Sequence, residues 1–185
     1  MKGFAREEPR FSLCGLNCAL CAMHLGGYCP GCGGGAGNQG CAIARCSLEH
    51  GGVKFCWECP EYPCPRYEGF DDTDSFVPHR NRTQDIAQAQ ELGLEAYLAR
   101  TEEKRAILDA LLERYNDGRR KTFFNTAVYL LPLEDLCSVM ATLNSRPELV
   151  AQPVKERALA AVELFQAAAD RRSISLKLNK KPKKG

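Results

Sequence analysis

The sequence predicts a mainly α-helical protein that carries an irregular, cysteine-rich metal module at its N-terminal end, built of zinc knuckles with little regular β-structure. Ten of the 11 cysteines lie between Cys14 and Cys64, so they belong to one part of the chain. Glycine and proline are concentrated in the same stretch, and that mixture forms turns and loops around metal ions. From Thr83 onward, apolar residues recur at the three- and four-residue spacings of helices.

Composition divides the 185 residues into segments of different character. An Asp-rich run from Asp71 to Ser75, followed by Pro78 and further polar residues, indicates a linker between a metal module and a helical domain. In order, the segments are a polar lead-in (residues 1–10), the cysteine-rich metal-binding module (11–70), the linker (71–82), the helical domain (83–172), and a short strand with a basic tail (173–185).

Two helices are expected directly after the linker. Asn81 or Thr83 can cap the first of them, and Gly93 is suited to ending it. A longer helical pattern runs from about residue 94 to residue 115, and the sequence Asn116-Asp117-Gly118 marks its end. The first half of the helical domain is therefore predicted to be two helices separated by a glycine.

The most apolar segment, Thr122 to Leu131, has no polar face and is predicted to be a buried element. A helix is the favoured interpretation, but the aromatic and β-branched residues also suit a strand, so the choice stays open. Pro132 suits the first turn of the next helix, because its fixed φ fits there and its missing N–H is not needed. Cys137 falls in that helix, far from the other cysteines, and is interpreted as a buried, inert thiol.

A regular apolar stripe predicts the last helix. Its members follow one another at helical spacing: Val154, Ala158, Val162, Phe165 and Ala169. Beyond it, Ile174, Leu176 and Leu178 alternate with polar residues, as the side chains of a short strand do. The sequence therefore leaves room for one short strand near the C-terminus.

The ten clustered cysteines have the spacing of metal ligands. Two residues between a pair of cysteines let a tight turn aim both sulfurs at one tetrahedral ion about 2.3 Å away. The pairs of this kind are Cys18/Cys21, Cys29/Cys32 and Cys56/Cys59. The further candidate ligands, in decreasing order of priority, are Cys46 and Cys64, then Cys14 and Cys41. We therefore predict a zinc-binding module.

The number of metal ions stays open. Two closed four-ligand sites would use eight of the ten cysteines, whereas three sites would need twelve ligands, which His24 and His50 could complete. For each histidine, a solvated or locally hydrogen-bonded side chain is the favoured interpretation, because thiolates alone could fill every site. The expectation is two or three zinc ions, with an iron–sulfur cluster on the same thiolates as the less favoured cofactor.

Three features of the sequence indicate a cytoplasmic protein without a membrane span. The first residues carry Glu7 and Glu8 and no apolar run, so they do not form a secretory signal. In a reducing cytosol, clustered cysteines are metal ligands more often than disulfides, although the even number of ten keeps disulfide pairing as an alternative. The longest apolar stretch, residues 123–133, is far shorter than the roughly 20 residues that a membrane span needs.

Charge is divided unevenly along the chain, although the formal net value is only +2. Residues 171–185 hold seven basic residues and no acidic ones, which leaves a net charge of −5 for the rest. Each zinc held by four thiolates would add a charge of about −2 to the module, because ligating cysteines are deprotonated. Such a module would repel phosphate backbones, so nucleic acid is expected as a partner only weakly, through the basic tail.

The cysteine pattern resembles that of a known family. The matching residues are Cys14-Gly-Leu-Asn-Cys18-Ala-Leu-Cys21, Cys29-Pro-Gly-Cys32, Cys41-x4-Cys46 and Cys56-Trp-Glu-Cys59-Pro-Glu-Tyr-Pro-Cys64. This ordered set is similar to that of the bacterial and archaeal cysteine-rich family called domain of unknown function family 3795. Softer similarity extends through the helical half, so the resemblance covers most of residues 11 to 143. It implies a zinc-binding module joined to helices, and no particular reaction or substrate.

These features favour a metal-binding cytosolic protein whose zinc is structural and whose surface binds a protein or a small ligand. The sequence contains no Gly-rich phosphate loop and no evident catalytic set of side chains, so a non-enzymatic role is favoured. The alternative is an iron–sulfur protein, or a thiol- or metal-dependent enzyme or redox protein, that uses an open metal position or spare cysteines.

Overall fold

A computed structural model describes residues 3–35 and 40–180 of the chain. This part of the chain is mainly helical, as predicted. Its α-helices are α1 (Ala22–Leu25), α2 (Ala42–Glu49), α3 (Arg82–Leu92), α4 (Leu94–Arg114), α5 (Lys121–Leu130), α6 (Leu133–Asn144) and α7 (Val154–Arg171). Single 3-10 turns lie at Cys18–Leu20, Cys56–Glu58, Pro65–Tyr67 and Pro147–Leu149. The end of the predicted basic tail, residues 181–185, and the first two residues of the lead-in lie outside the described residues.

The described residues form two compact units. The first contains the residues up to Leu98 together with Asn179 and Lys180, and the second is Ala99–Leu178. The division therefore falls inside α4, whereas the sequence pattern places the change of domain at residues 71–82. No helix within the described ranges is long and apolar enough to cross a membrane.

Aromatic packing explains why α3 and the start of α4 belong to the first unit. A buried cluster combines residues of the cysteine-rich segment with residues of these helices: Phe11, Phe55, Ile86, Ala89, Tyr97 and Leu98. The ring centroids of Phe11 and Tyr97 are 4.9 Å apart, and the Asn17 amide donates a 3.0 Å hydrogen bond to the Tyr97 hydroxyl. The helices thus supply apolar surface that a small, glycine-rich segment lacks on its own.

Residues 71–82, predicted to be a linker, are folded into the first unit. The Asp74 side chain is fully buried and accepts hydrogen bonds from the backbone N–H groups of His79 (2.8 Å) and Asn179 (2.7 Å). The Arg80 guanidinium donates a third hydrogen bond to Asp74, at 2.9 Å. Because a buried carboxylate is stable only with such partners, this Asp-rich run anchors the chain although its composition is that of a linker.

The helix boundaries follow the sequence signals closely. α3 ends at Gly93, whose φ of 82° lies in the left-handed region that glycine adopts without strain. The long pattern that follows is α4. The ambiguous apolar segment is helix α5 rather than a strand, and its side chains are buried in the second unit, where α7 packs against α5 and α6. A helix buried on most sides accounts for the absence of a polar face.

The prediction for Cys137 is wrong, because this thiol is exposed. The buried face of α6 carries Leu136, Val139 and Leu143. Successive residues of an α-helix point about 100° apart, so the residue after Leu136 is turned away from that face. Cys137 is therefore a surface thiol of the second unit.

The short strand expected near the C-terminus is absent from the described residues, since residues 173–180 have no strand or bridge partner. A strand needs a neighbouring strand to satisfy its N–H and C=O groups. The alternating apolar pattern instead places one side chain in the interior: Leu176 is only 7 % exposed, while Ser175 and Lys177 face solvent.

Ser173 is the non-glycine residue with a left-handed conformation in the described chain, with a φ of 56°. It follows α7 in a Schellman motif, in which Ser173 N donates to Asp170 O (3.0 Å) and Ile174 N donates to Ala169 O (2.9 Å). We expect Ser173→Gly to raise the free energy of unfolding by about 0.5–1 kcal/mol, because it removes the Cβ strain. Urea denaturation followed by circular dichroism measures this, and an equal gain from Ser173→Ala, which keeps the Cβ, would contradict it.

Candidate metal centre

Two Cys-x-x-Cys pairs are folded by the same local turn. Cys18–Leu20 and Cys56–Glu58 each form a 3-10 turn. In both, the N–H of the second cysteine, Cys21 or Cys59, donates a 3.0 Å hydrogen bond to the carbonyl oxygen of the first. The backbone therefore folds both pairs into the tight turn that their spacing predicts.

The third pair, Cys29/Cys32, depends on the glycine between its cysteines. Gly31 has a φ of 89°, and a Cβ on it would lie 2.5 Å from the carbonyl oxygen of Pro9. The N–H of Cys32 donates a 2.9 Å hydrogen bond to the same oxygen. Only glycine allows the lead-in segment to lie this close to the turn.

Four cysteines from separate parts of the first unit line one small cavity. Cys46 lies on α2, and Cys64 directly precedes a 3-10 turn. Cys56 and Cys59 form the pair described above. The cavity has a volume of about 30 Å³, which is room for one or two occupants of the size of a water molecule. We call these four residues the cavity group.

A second set of cysteines lies around buried Cys14. Burial raises the pKa of the Cys18 thiol well above its usual range, and the neighbouring thiols of Cys32, Cys14 and Cys21 raise it further. Burial also raises the pKa of Cys14 to about 11, with smaller contributions from Cys32 and Cys41. Thiols influence one another in this way only when they lie close together. We call these five residues the buried group after Cys14, its buried member; Cys41 is exposed and the other three are partly buried.

In the cavity group, burial and neighbouring thiols raise the pKa of Cys56 in the same way. Burial raises the pKa of its thiol to about 12, and neighbouring Cys14, Cys64 and Cys46 contribute to the increase. Tyr67 lies beside it, and its hydroxyl has no nitrogen or oxygen partner among the described residues. Burial, followed by the interaction with Cys56, raises the pKa of Tyr67 as well. Without a cation, these surroundings hold the Cys56 thiol in its neutral form.

In both histidines of the module, the Nδ1 atom is hydrogen-bonded to a backbone carbonyl oxygen. Nδ1 lies 3.0 Å from the Cys29 carbonyl oxygen in His24, and 2.8 Å from the Cys46 carbonyl oxygen in His50. His50 also lines the cavity, and its Nε2 lies 3.4 Å from a carboxylate oxygen of Glu61. Both rings are thus locally hydrogen-bonded, which is the arrangement that the sequence interpretation favoured.

All eleven cysteines are free thiols, so the disulfide alternative has no bonded pair to support it. In residues 3–35 and 40–180, no set of three or more histidine, cysteine, aspartate or glutamate side chains is already arranged as a metal site. The cysteines of the cavity group therefore line a common cavity, but their sulfurs are not arranged in the geometry of a metal site. Cys29 belongs to its pair with Cys32, and Cys137 lies outside both groups, in the second unit.

Sequence reasoning missed three side chains that neighbour the cysteines. The Ser12 hydroxyl lies 3.1 Å from the Cys14 sulfur, Tyr67 lies beside Cys56, and Arg66 lines the cavity. Ser12 and Arg66 are each two residues from a cysteine of the predicted set. Polar residues adjoining ligand positions are therefore the signal that could have identified them.

Comparison with known proteins finds no matching family model, no matching curated protein and no matching solved structure. The resemblance of the cysteine pattern to the uncharacterised cysteine-rich family therefore stays a prediction.

Proposed function

We propose that the protein binds zinc at two thiolate sites and that this metal holds the N-terminal unit in its folded state. The cavity group would supply all ligands of one site. The other would take its ligands from the buried group and Cys29. In this proposal the zinc is structural, and the folded unit offers a binding surface to a protein or small-molecule partner in the cytoplasm.

The observation that carries the proposal is the convergence of the cavity group on one space of about 30 Å³. Its cysteines come from a helix and two separate turns, so local sequence spacing alone does not bring all four together. Four cysteines are the ligand number of the common closed site of structural zinc, in which the sulfurs surround the ion at about 2.3 Å, so metal binding would draw these four sulfurs together.

The chemistry of the donors supports zinc rather than a hard cation. Thiolate sulfur is a soft ligand that selects zinc, copper(I) or iron–sulfur clusters over magnesium or calcium. Bound zinc would supply the positive charge that stabilises thiolates, including those of Cys14, Cys18 and Cys56, whose pKa values burial raises. Because such a site does not exist in the unfolded chain, the free energy of binding adds to the free energy of folding.

Metal analysis of the purified protein tests this proposal. We expect a colourless protein with about two zinc ions per chain. Cys59→Ser should lower the zinc content to about one ion, because it removes one cavity ligand. Cys137→Ser is the matched control, since its thiol is exposed and lies in the other unit, and it should retain both ions. A brown, iron-containing protein, or equal zinc in the two variants, would contradict the proposal.

A further inference from the structure

Each of the two cysteine groups has one arginine beside it. Arg66 lines the same cavity as the four cysteines of the cavity group. Arg6 lies near Cys32 of the buried group. Its backbone N–H donates a 3.1 Å hydrogen bond to the carbonyl oxygen of Gly33, which follows Cys32 in the sequence. Arg66 is one of only three basic residues in residues 11–70, which hold four acidic ones, and Arg6 comes from the lead-in segment before them.

The Arg6 guanidinium is held in place by the backbone. Nη1 donates a 2.7 Å hydrogen bond to the Phe11 carbonyl oxygen, and Nη2 donates a 3.0 Å hydrogen bond to the Lys54 carbonyl oxygen. Its central carbon lies 4.8 Å from the centroid of the Phe55 ring. These contacts hold the guanidinium, a permanent positive charge, in a fixed position. Burial raises the pKa of the Cys32 thiol, while the backbone of Leu13 and the charge of Arg6 lower it.

We propose that Arg6 and Arg66 are positioning residues of the two metal–thiolate sites, each placing a permanent positive charge and hydrogen-bond donors beside one cysteine group. The inference rests on the proposed function. A zinc ion with four thiolates has a net charge of about −2, so two such sites would add about −4 to an already acidic segment. A guanidinium held beside each site would offset part of that charge and, once the metal is bound, could donate to the ligand sulfurs and orient them.

Charge-removing variants test the inference on the full chain with Co²⁺ as the probe. We expect Arg6→Gln and Arg66→Gln to weaken cobalt binding about tenfold each, measured from thiolate charge-transfer absorption in competition with a chelator. Arg6→Lys and Arg66→Lys should restore part of the affinity, because they keep the charge. Arg45→Gln is the matched control, since exposed Arg45 adjoins Cys46 in sequence and loses the same charge. It should change the affinity by less than about twofold.

Salt dependence separates the charge effect from a purely structural one. The difference between wild type and Arg66→Gln should shrink as salt concentration rises, because ions screen the charge of the exposed guanidinium. Glutamine variants that bind cobalt like Arg45→Gln would overturn the inference while leaving the metal sites intact. A salt-independent loss that the lysine variants do not relieve would also overturn it. A wild-type chain that binds no cobalt would overturn the proposed function itself.

Discussion

Removing the metal with a strong chelator is expected to unfold the N-terminal unit and leave the helical unit, Ala99–Leu178, folded. Structural zinc contributes an apparent free energy of about 10 kcal/mol or more per site, comparable to the whole stability of a small domain. The cysteine-rich segment itself has only the short helices α1 and α2, and its packing includes the cluster it shares with α3 and α4. Burial raises the pKa of Cys14 and Cys18, so these thiols stay neutral without a cation. The second unit contains no cysteine except exposed Cys137.

The single tryptophan allows unfolding of the first unit to be measured separately from that of the second. Trp57 lies in the first unit, where its ring stacks on Phe55 with centroids 4.1 Å apart, so its fluorescence reports the folding of that unit. Hydrogen exchange measured by mass spectrometry should show loss of protection in residues 11–70 and retained protection in α5 and α7. Adding zinc back should restore both signals. Unchanged Trp57 fluorescence after complete metal removal would show that the fold does not depend on metal.

Many of the helices could be predicted from the sequence because their signals are local. Gly93 ends α3 through its own backbone preference, and the apolar stripe of α7 depends only on spacing along one helix. The exposure of Cys137 shows the limit of this reasoning. The prediction that Cys137 is buried used the usual packing of free cysteine and not its position on the helix, and Cys137 lies one residue beyond Leu136 of the buried face.

The grouping of the cysteines could not be predicted, because it depends on contacts between distant segments. Spacing identifies the pair Cys56/Cys59, but only the fold places Cys46 of α2 beside the same cavity. The role of Asp74 was hidden for the same reason. Its partner Asn179 lies 105 residues further along the chain. Composition alone therefore made the segment around Asp74 look like a linker, although Asp74 anchors it to the rest of the unit.

Replacing Arg82 by alanine is expected to destabilise the first unit strongly. The Arg82 side chain is buried at the start of α3 and binds Asp71 through two hydrogen bonds, of 2.9 and 2.7 Å. It donates a further 3.0 Å hydrogen bond to the Tyr62 hydroxyl, and its central carbon lies 4.4 Å from the centroid of the Tyr67 ring. Burial lowers the pKa of Arg82, but Asp71 and Tyr62 raise it by more, so the charge is retained.

The expected loss is about 3 kcal/mol in the free energy of unfolding, because Arg82→Ala leaves Asp71 without its partner and removes packing from two aromatic rings. Urea denaturation followed by Trp57 fluorescence measures it. Arg82→Lys keeps the charge but not the two-pronged geometry, so it should recover only part of the loss. Arg45→Ala is the control, since exposed Arg45 lies on α2 of the same unit and its loss should cost about 0.5 kcal/mol or less.

Arg82→Ala should also weaken metal binding, although Arg82 is not among the residues that line the cysteine cavity. Tyr62 and Tyr67, which it holds, are both part of the lining of that cavity. Because binding and folding of the first unit are coupled in the proposed function, a destabilised lining reduces the apparent affinity for the ion. Cobalt titration should therefore rank the variants in the order of their unfolding free energies. Full cobalt affinity in a strongly destabilised Arg82→Ala would show that the cavity does not need α3.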